Sequence, residues 1–415
     1  MVMSRPWGWA ALFLPVGACA QGDTLPFPNT VHGHRAIIEV DAEWGSSALT
    51  NDLAWGLFTG QRLSTELRLA GSKEVRGNNR AGACFSARGS LAWGQGFLGQ
   101  ERLMPRISMG HQYLLGIEFA RDAYELAFLG NAGFEDRTAH AGPARFVAIS
   151  YQQLGFGVED RRTGSYAELG VVNGHAFSNG RIHKADLYTA PDGRYLELDL
   201  DGEYHRSDTG STRLNKGTGA AAALHWRHRV KVAGTHAMLS LTATDLGFIA
   251  WNGNSLSAGK NGTIRYDGLT VAGIPGLEDL ALDKGRVQDS LGLGYRTGSV
   301  LQWLPAKLQA RLEFGRMVRL WPGQVFHAYS LSVDHWFVPG YRPRALAQGR
   351  LFLTRAFHAE AGLGYGGFSG LRAVAGTGTC VGKHLYVGIR STHFIGVLSG
   401  QARGMALAGS LEATW

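Results

Sequence analysis

The stretch "YLELDLDGEYHR" alternates with period two. As an extended chain it puts Glu197, Asp199, Asp201 and Glu203 on one face and Leu196, Leu198, Leu200 and Tyr204 on the other. The same split recurs in "LQARLEFG", where Leu308, Ala310, Leu312 and Phe314 oppose Gln309, Arg311 and Glu313. In "ALHWRHR", Leu224 and Trp226 oppose His225, Arg227 and Arg229. Strands of this kind need an apolar medium on one side and water or counter-charges on the other. A soluble sandwich also alternates, but it rarely sets four carboxylates in a row against leucines. Past the first residues there is no uninterrupted apolar run near the roughly 20 residues of a membrane helix, so any membrane crossing must be made by strands.

Turn signals at Gly, Asn, Asp and Pro clusters divide the chain into candidate strands near 35–47, 82–93, 106–119, 145–158, 165–177, 193–206, 218–230, 235–251, 306–318, 324–337, 343–355, 357–367, 371–380, 383–393 and 401–415. The expected fold is all-β: a transmembrane antiparallel β-barrel of about 14 strands, within a range of roughly 14 to 16. The 59 glycines, about twice the usual share of roughly 7%, lie beside aromatics in "GLGYGGF" and "LAWGQGFLG", as in large barrels. "MALAGSLEATW" closes the sequence with Met405, Leu407, Gly409, Leu411, Ala413 and Trp415 on one face. It looks like the closing strand of bacterial outer-membrane barrels. That resemblance implies that Trp415 is read as an insertion signal by the barrel-insertion machinery.

Three stretches carry helical spacing instead: "NDLAWGLFTGQRLSTELRL" after an Asn51/Asp52 cap, "AYELAFLGN" with a Gly130-Asn131 stop, and "PGLEDLALDKGRVQDSL". They are expected to be plugs or loop helices, with residues 49 to 70 as the plug. No repeat or linker splits the chain.

At the N-terminus, Arg5, the mostly apolar Trp7 to Val16 and the Ala18-Cys19-Ala20 site read as a signal peptide over 1–20, leaving 21–415 as one barrel domain in the bacterial outer membrane. A lipobox at Val16 to Cys19, with Cys19 lipidated, is the alternative. Cys84 and Cys380 are then too few for a disulfide framework and lack zinc-site spacing, and are expected to be buried thiols. The net charge is +8, but the arginines are spread over many hairpins, which suits outer-membrane lipid and lipopolysaccharide or the lumen and excludes nucleic acid as a partner.

At "LGNAGFEDRTAHAG", "HKADLYTAPDGRYLELDLDGEYHRSDTG" and "LTATDLGFIAWNGNSL" the sequence resembles an uncharacterised outer-membrane β-barrel family of Bacteroidota, a domain of unknown function. The resemblance covers most of the mature chain and is most specific from about Gly110 to Asn254. It implies a barrel broadly like the long-chain fatty-acid transporters and the shuttle barrel of type IX secretion. The "NPA" signature of the fatty-acid transporters is missing after Gln21, and the resemblance transfers no catalytic residue.

Outer-membrane esterases set a His and a Ser two apart on one strand face, so that the His can take the hydroxyl proton. In "GHAFSNGR", His175 and Ser178 are three apart and fall on opposite faces unless a bulge intervenes. The plain reading ends a strand at "VVNGHAF" and makes Ser178-Asn179-Gly180 its turn. The histidines of "HGH", His32 and His34, have no further metal ligands beside them, and "GLGYGG" lacks the strand-turn-helix setting of a nucleotide loop. The ladder Glu197, Asp199, Asp201 and Glu203 and the pair Arg227 and Arg229 are expected to face the lumen and to pair across adjacent strands. No enzyme, metal or cofactor is expected. The functional expectation is a conduit or transporter for a small molecule, with hydrophobic molecules among the candidates. The alternative is a non-transporting adaptor barrel with envelope protein partners, as in type IX secretion; a lipid esterase is the remote third.

Overall fold

The computed structural model describes residues 33–208, 214–267, 294–320, 323–354, 356–382 and 384–415. The expected signal peptide with Cys19, His32 and the third stretch expected to be helical (275–291) lie outside these residues.

Alternation makes each strand two-faced, and the two faces are best served if the sheet closes on itself. β1 (Arg35–Ser46) pairs antiparallel with β2 (Asn78–Ala92) on one side and with the last strand, β17 (Gly404–Thr414), on the other. The circuit between them runs through β3 (Leu103–Ala120), β5 (Ala144–Asp160), β6 (Tyr166–Thr189), β8 (Gly217–Val232), β9 (Thr235–Tyr266), β11 (Lys307–Leu320), β12 (Gly323–Trp336), β13 (Arg342–Phe352), β14 (Phe357–Gly367), β15 (Arg372–Val381) and β16 (Leu385–Ser391). The result is a closed 14-strand antiparallel barrel, and among the described residues no helix is long and apolar enough to cross a membrane.

Three segments lie outside this circuit. β4 (Arg137–His140) pairs with the far end of β6. β7 (Leu196–Arg206) and β8 lie in line between β6 and β9: β7 pairs Ser178 to Thr189, and β8 pairs Tyr166 to Gly174. β10 (Gly294–Trp303) and β11 likewise lie in line along β9. β6 and β9 are 24 and 32 residues long, against 7 to 14 for β11 to β17, so one wall of the barrel rises well above the rest.

Most expected strand windows match, with four differences. β4 is too short to show a period. β10 has a register shift between Gly298 and Val300, which breaks the alternation. β9 runs on past residue 251 to Tyr266. The fourth is a correction: Ser178-Asn179-Gly180 is not a turn, because β6 continues unbroken to Thr189.

The two ends differ. At the end that holds Arg35 and Trp415, connections are short, such as Ala233-Gly234 between β8 and β9, where both residues adopt positive φ (48° and 81°). The other end carries the long connections and the helices α1 (Asn51–Phe58), α2 (Thr65–Glu74), α3 (Arg121–Leu129) and α4 (Phe394–Leu398). Thr50 and Ser64 cap α1 and α2 through their hydroxyls, and Gly130 (φ 83°) ends α3.

Outward-facing side chains form an apolar belt that includes Ile38, Val40, Met109, Leu154, Leu169, Leu224, Leu331, Leu363 and Leu407, all exposed. Trp226 and Trp415 lie toward the short-turn end and Trp303, Phe337 and Tyr365 toward the other, the pattern of aromatic girdles. The first two helices do not plug the barrel as expected. Leu53, Ala54 and Tyr124 pack with Trp44 and Ala81, which alternation places on the outer face of β1 and β2. The lumen beside these strands is already filled by other side chains, Phe368 among them, so the apolar helix face is buried against the apolar outside of the rim. Asn51 ties α1 to α4, its amide donating to the carbonyls of Gly396 (2.9 Å) and Gly404 (3.2 Å). Trp55, Phe58, Ile395 and Leu398 remain exposed and continue the apolar belt upward.

Candidate functional site

The inward face of the barrel carries the chemistry. Toward the short-turn end, Glu159 of β5 accepts from Arg35 of β1 (2.8 Å) and Arg106 of β3 (2.7 Å), and Arg106 also reaches Glu168 of β6. Ser108 donates to Glu168 (3.0 Å), Arg35 lies 3.1 Å from Glu412 of β17, and the Arg106 guanidinium stacks over Tyr166 (4.2 Å). Farther round, Arg311 and Arg227 share Glu313 (2.8 and 4.0 Å), and Arg350 and Arg390 share Glu360 (3.2 and 3.9 Å).

Toward the long-loop end a second network spans the lumen. Glu43 of β1 accepts from Arg344 of β13 (2.7 Å) and Arg372 of β15 (2.9 Å). Arg344 also donates to Asp334 of β12 (2.8 Å), which accepts from the Tyr341 hydroxyl (2.5 Å). Glu43, Asp334, Arg344 and Arg372 are all buried. Charges so far from water persist only when each is paired, and here each is.

Above this network the lumen is apolar. Val338 and Tyr341, from the β12–β13 connection, and Phe368, from the β14–β15 connection, turn inward to meet Leu114, Ile149, Val172, Phe177 and Trp251 from the tall wall. Glycines make the room: a Cβ at Gly82 would collide with the Phe368 ring, one at Gly116 would stand 2.5 Å from the Pro339 carbonyl, and one at Gly174 2.7 Å from the Trp251 ring. The stopper is thus made by two short connections, and the helices take no part in it. The run "WFVPGY", aromatics around a Pro-Gly turn, was the signal available for it in the sequence.

Beside the stopper, His393 at the start of α4 hydrogen-bonds through Nε2 to Ser369 (3.1 Å). Burial, then the charge of Arg372, pushes its pKa down to about 4. In α3, burial pushes Tyr124 up to about 12.

The residues singled out in the sequence separate. Arg227 faces the lumen and meets Glu313; Arg229 follows it on the same face of β8. The acidic ladder lies on β7, in the wall above the rim. β7 and β8 lie end to end, so the expected pairing of the ladder with Arg227 and Arg229 does not occur. Asp199 instead meets Lys184 of β6 (2.6 Å), and the carboxylate of Glu203 lies 4.0 Å from His205. Glu197 and Asp201 stand in register with Tyr188 and Lys184. Trp415 stacks on His34 (5.5 Å) and exchanges backbone hydrogen bonds with it. Cys84 is buried, as expected, and Cys380 only half-buried, and neither is in a disulfide.

His175 is an extra residue on β6: Gly174 opposes Tyr151 while Ala176 opposes Ser150. Alternation is thereby reset, since Val172 and Phe177 both point inward. His175 and Ser178 consequently share the outer face, contrary to the expectation of opposite faces. They do not form a nucleophile–base pair. Ser178 bonds the Tyr204 hydroxyl (3.2 Å), while the His175 ring packs edge-on to His111 (5.8 Å). Among the described residues no three His, Cys, Asp or Glu side chains cluster as a metal site.

No family model and no curated protein matches the chain. Among solved structures it is similar to the toluene transporter TodX of P. putida (9% identity, TM-score 0.40, covering 94% of this chain and 93% of that one). It is also similar to a FadL homologue of Pseudomonas aeruginosa (12% identity, TM-score 0.36, 93% and 92% covered). The third is the translocator domain of the autotransporter NalP from Neisseria meningitidis (10% identity, TM-score 0.32, 92% and 88% covered). These are outer-membrane barrels; likeness at this level carries no statement about substrate or mechanism. Nothing in the comparisons bears on the Bacteroidota resemblance.

Proposed function

We propose that the chain is an outer-membrane barrel that acts as a gated conduit for a small molecule, shut in the arrangement described. Its apolar belt and girdles suit a bilayer, and the short-turn end, with Trp415, is oriented to the periplasm. The observation that carries the conduit reading is the composition of the blockage. The lumen is closed by side chains on two short connections and by shared ion pairs, both of which can rearrange without breaking the strand ladder. A barrel built only as a scaffold gains little from such pairs, because apolar side chains of similar volume fill a core at least as well.

Planar-bilayer conductance and liposome swelling test this. The unaltered protein is expected to open rarely, and the double variant Phe368→Ala/Arg344→Ala to conduct and to pass small solutes. If neither conducts while the barrel stays folded and co-purifies with a stoichiometric envelope protein, the adaptor reading replaces the conduit.

A further inference from the structure

At the long-loop mouth of the lumen lies a polar cavity of about 540 Å³. Its wall carries Arg80 of β2, Glu118 of β3, Arg145 of β5 and Arg181 and His183 of β6, and Arg342, the first residue of β13, closes it from across the mouth. Alternation points the β2, β3 and β5 side chains inward, and the bulge at His175 does the same for Arg181, since Phe177 points inward two pairs below it.

The charges in this cavity do not balance. Glu118 is taken by Arg145, which grips one carboxylate oxygen through two nitrogens (2.9 and 2.6 Å). Arg80 spends one donor on the Gly367 carbonyl (3.3 Å), and Arg342 is close enough for the two guanidiniums to repel. The side chains of Arg181 and Arg342 make no hydrogen bond or ion pair among the described residues. Glu203 stands in register with Arg181, yet among the described residues its carboxylate comes within 4.0 Å only of the His205 ring. In the deeper networks each of the arginines described has its carboxylate, so the unpaired guanidiniums set this cavity apart from the rest of the lumen. Unpaired planar guanidiniums converging on one cavity are suited to bidentate capture of phosphate or carboxylate oxygens.

We propose that this mouth is a binding site for a ligand bearing two or more phosphate or carboxylate groups, held by Arg80, Arg181 and Arg342 with His183 beside them. Arg342 follows Tyr341 directly, so the site is built onto the connection that stoppers the lumen. That the bound anion is cargo rests on the conduit reading; that it binds does not. The shared oxyanion chemistry could be presented by a soluble polyanion or by a phosphorylated lipid headgroup.

Calorimetry on the full chain in detergent separates these sources. Pyrophosphate and tricarballylate serve as soluble probes, and lipid A is compared with dephosphorylated lipid A. Saturable binding of at least one probe is expected, weakened about tenfold for each guanidinium removed in Arg181→Gln and Arg342→Gln. Arg102→Gln, at the short-turn end, serves as the matched loss of charge and should leave binding unchanged. Binding of soluble probes identifies a free anion, and binding confined to phosphorylated lipid A identifies a headgroup. No saturable binding by any probe, or binding indifferent to the Arg181→Gln/Arg342→Gln double variant in protein that keeps its heat-modifiable band, overturns the site. Conductance without binding would overturn the anion site alone, and binding without conductance the conduit alone.

Discussion

Arg344→Met tests whether the upper ion-pair network is a dry seal or a wetted surface. The substitution keeps roughly the side-chain length but removes two charge-assisted hydrogen bonds, to Glu43 (2.7 Å) and Asp334 (2.8 Å). Each such bond contributes about 1.5–3 kcal/mol net. Glu43 retains Arg372 and Asp334 retains the Tyr341 hydroxyl, so neither carboxylate is wholly orphaned. Asp334, 2% exposed, nevertheless keeps its charge with a neutral partner only. The expected loss of unfolding free energy is therefore about 3–5 kcal/mol, the range for a buried pair deprived of one member. Adding Asp334→Asn should recover about 1–2 kcal/mol of it by removing the uncompensated charge, a coupling that a double-mutant cycle isolates. Urea unfolding of liposome-inserted protein, read by the heat-modifiable band, is the assay. A loss for Arg344→Met under about 1 kcal/mol, the value of a solvated pair, would refute the reasoning and show that water fills this part of the lumen.

Three further outcomes are expected. Gly82→Val should displace the Phe368 ring and destabilise the barrel by about 1–3 kcal/mol, whereas Phe368→Ala, which leaves a void, should cost about 3–5 kcal/mol; equal and negligible effects in the same unfolding assay would mean that the stopper is not packed. His393, neutral in the fold with a pKa of about 4, binds its proton more readily once unfolded, so its contribution is full above about pH 6.5 and is lost as pH falls toward 4, a loss of about 3 kcal/mol that should be absent from His393→Gln when the two are unfolded side by side across that window. Because Ser178 is bonded to Tyr204 and not to His175, purified protein should hydrolyse phospholipid and lipid A esters at background with or without calcium, and activity abolished by both Ser178→Ala and His175→Ala would reverse this reading.

The sequence by itself determined the all-β class, the approximate number of strands and the sidedness of those that alternate without interruption, such as β8, β11 and β17, because period two is a local property that such a segment carries on its own. It also marked the stretches that hold α1, α2 and α3 through their spacing, although it read α1 and α2 as one helix capped at Asn51/Asp52 where Thr50 and Ser64 cap two, and it put Arg227 opposite Leu224 and Trp226. What only the tertiary structure decided depends on which segments become neighbours and on single-residue register. The extra residue at His175 reset the faces of everything beyond it in β6, and no residue type marks such a bulge in advance. The ladder from Glu197 to Glu203 has no fixed partner until β7 and β8 are known to lie end to end and not side by side. The helix at residues 51–58 reads equally as plug or collar, and the polarity of the surface it meets made it a collar. The ion pairs of Glu43 join residues some 300 positions apart, Arg344 and Arg372, through closure of the barrel. The mouth cavity likewise collects Arg80, Arg145, Arg181 and Arg342 from four strands spread along the chain. Closure brings such distant residues to one level of the lumen, and that common level is a property of the assembled ring, absent from any one segment.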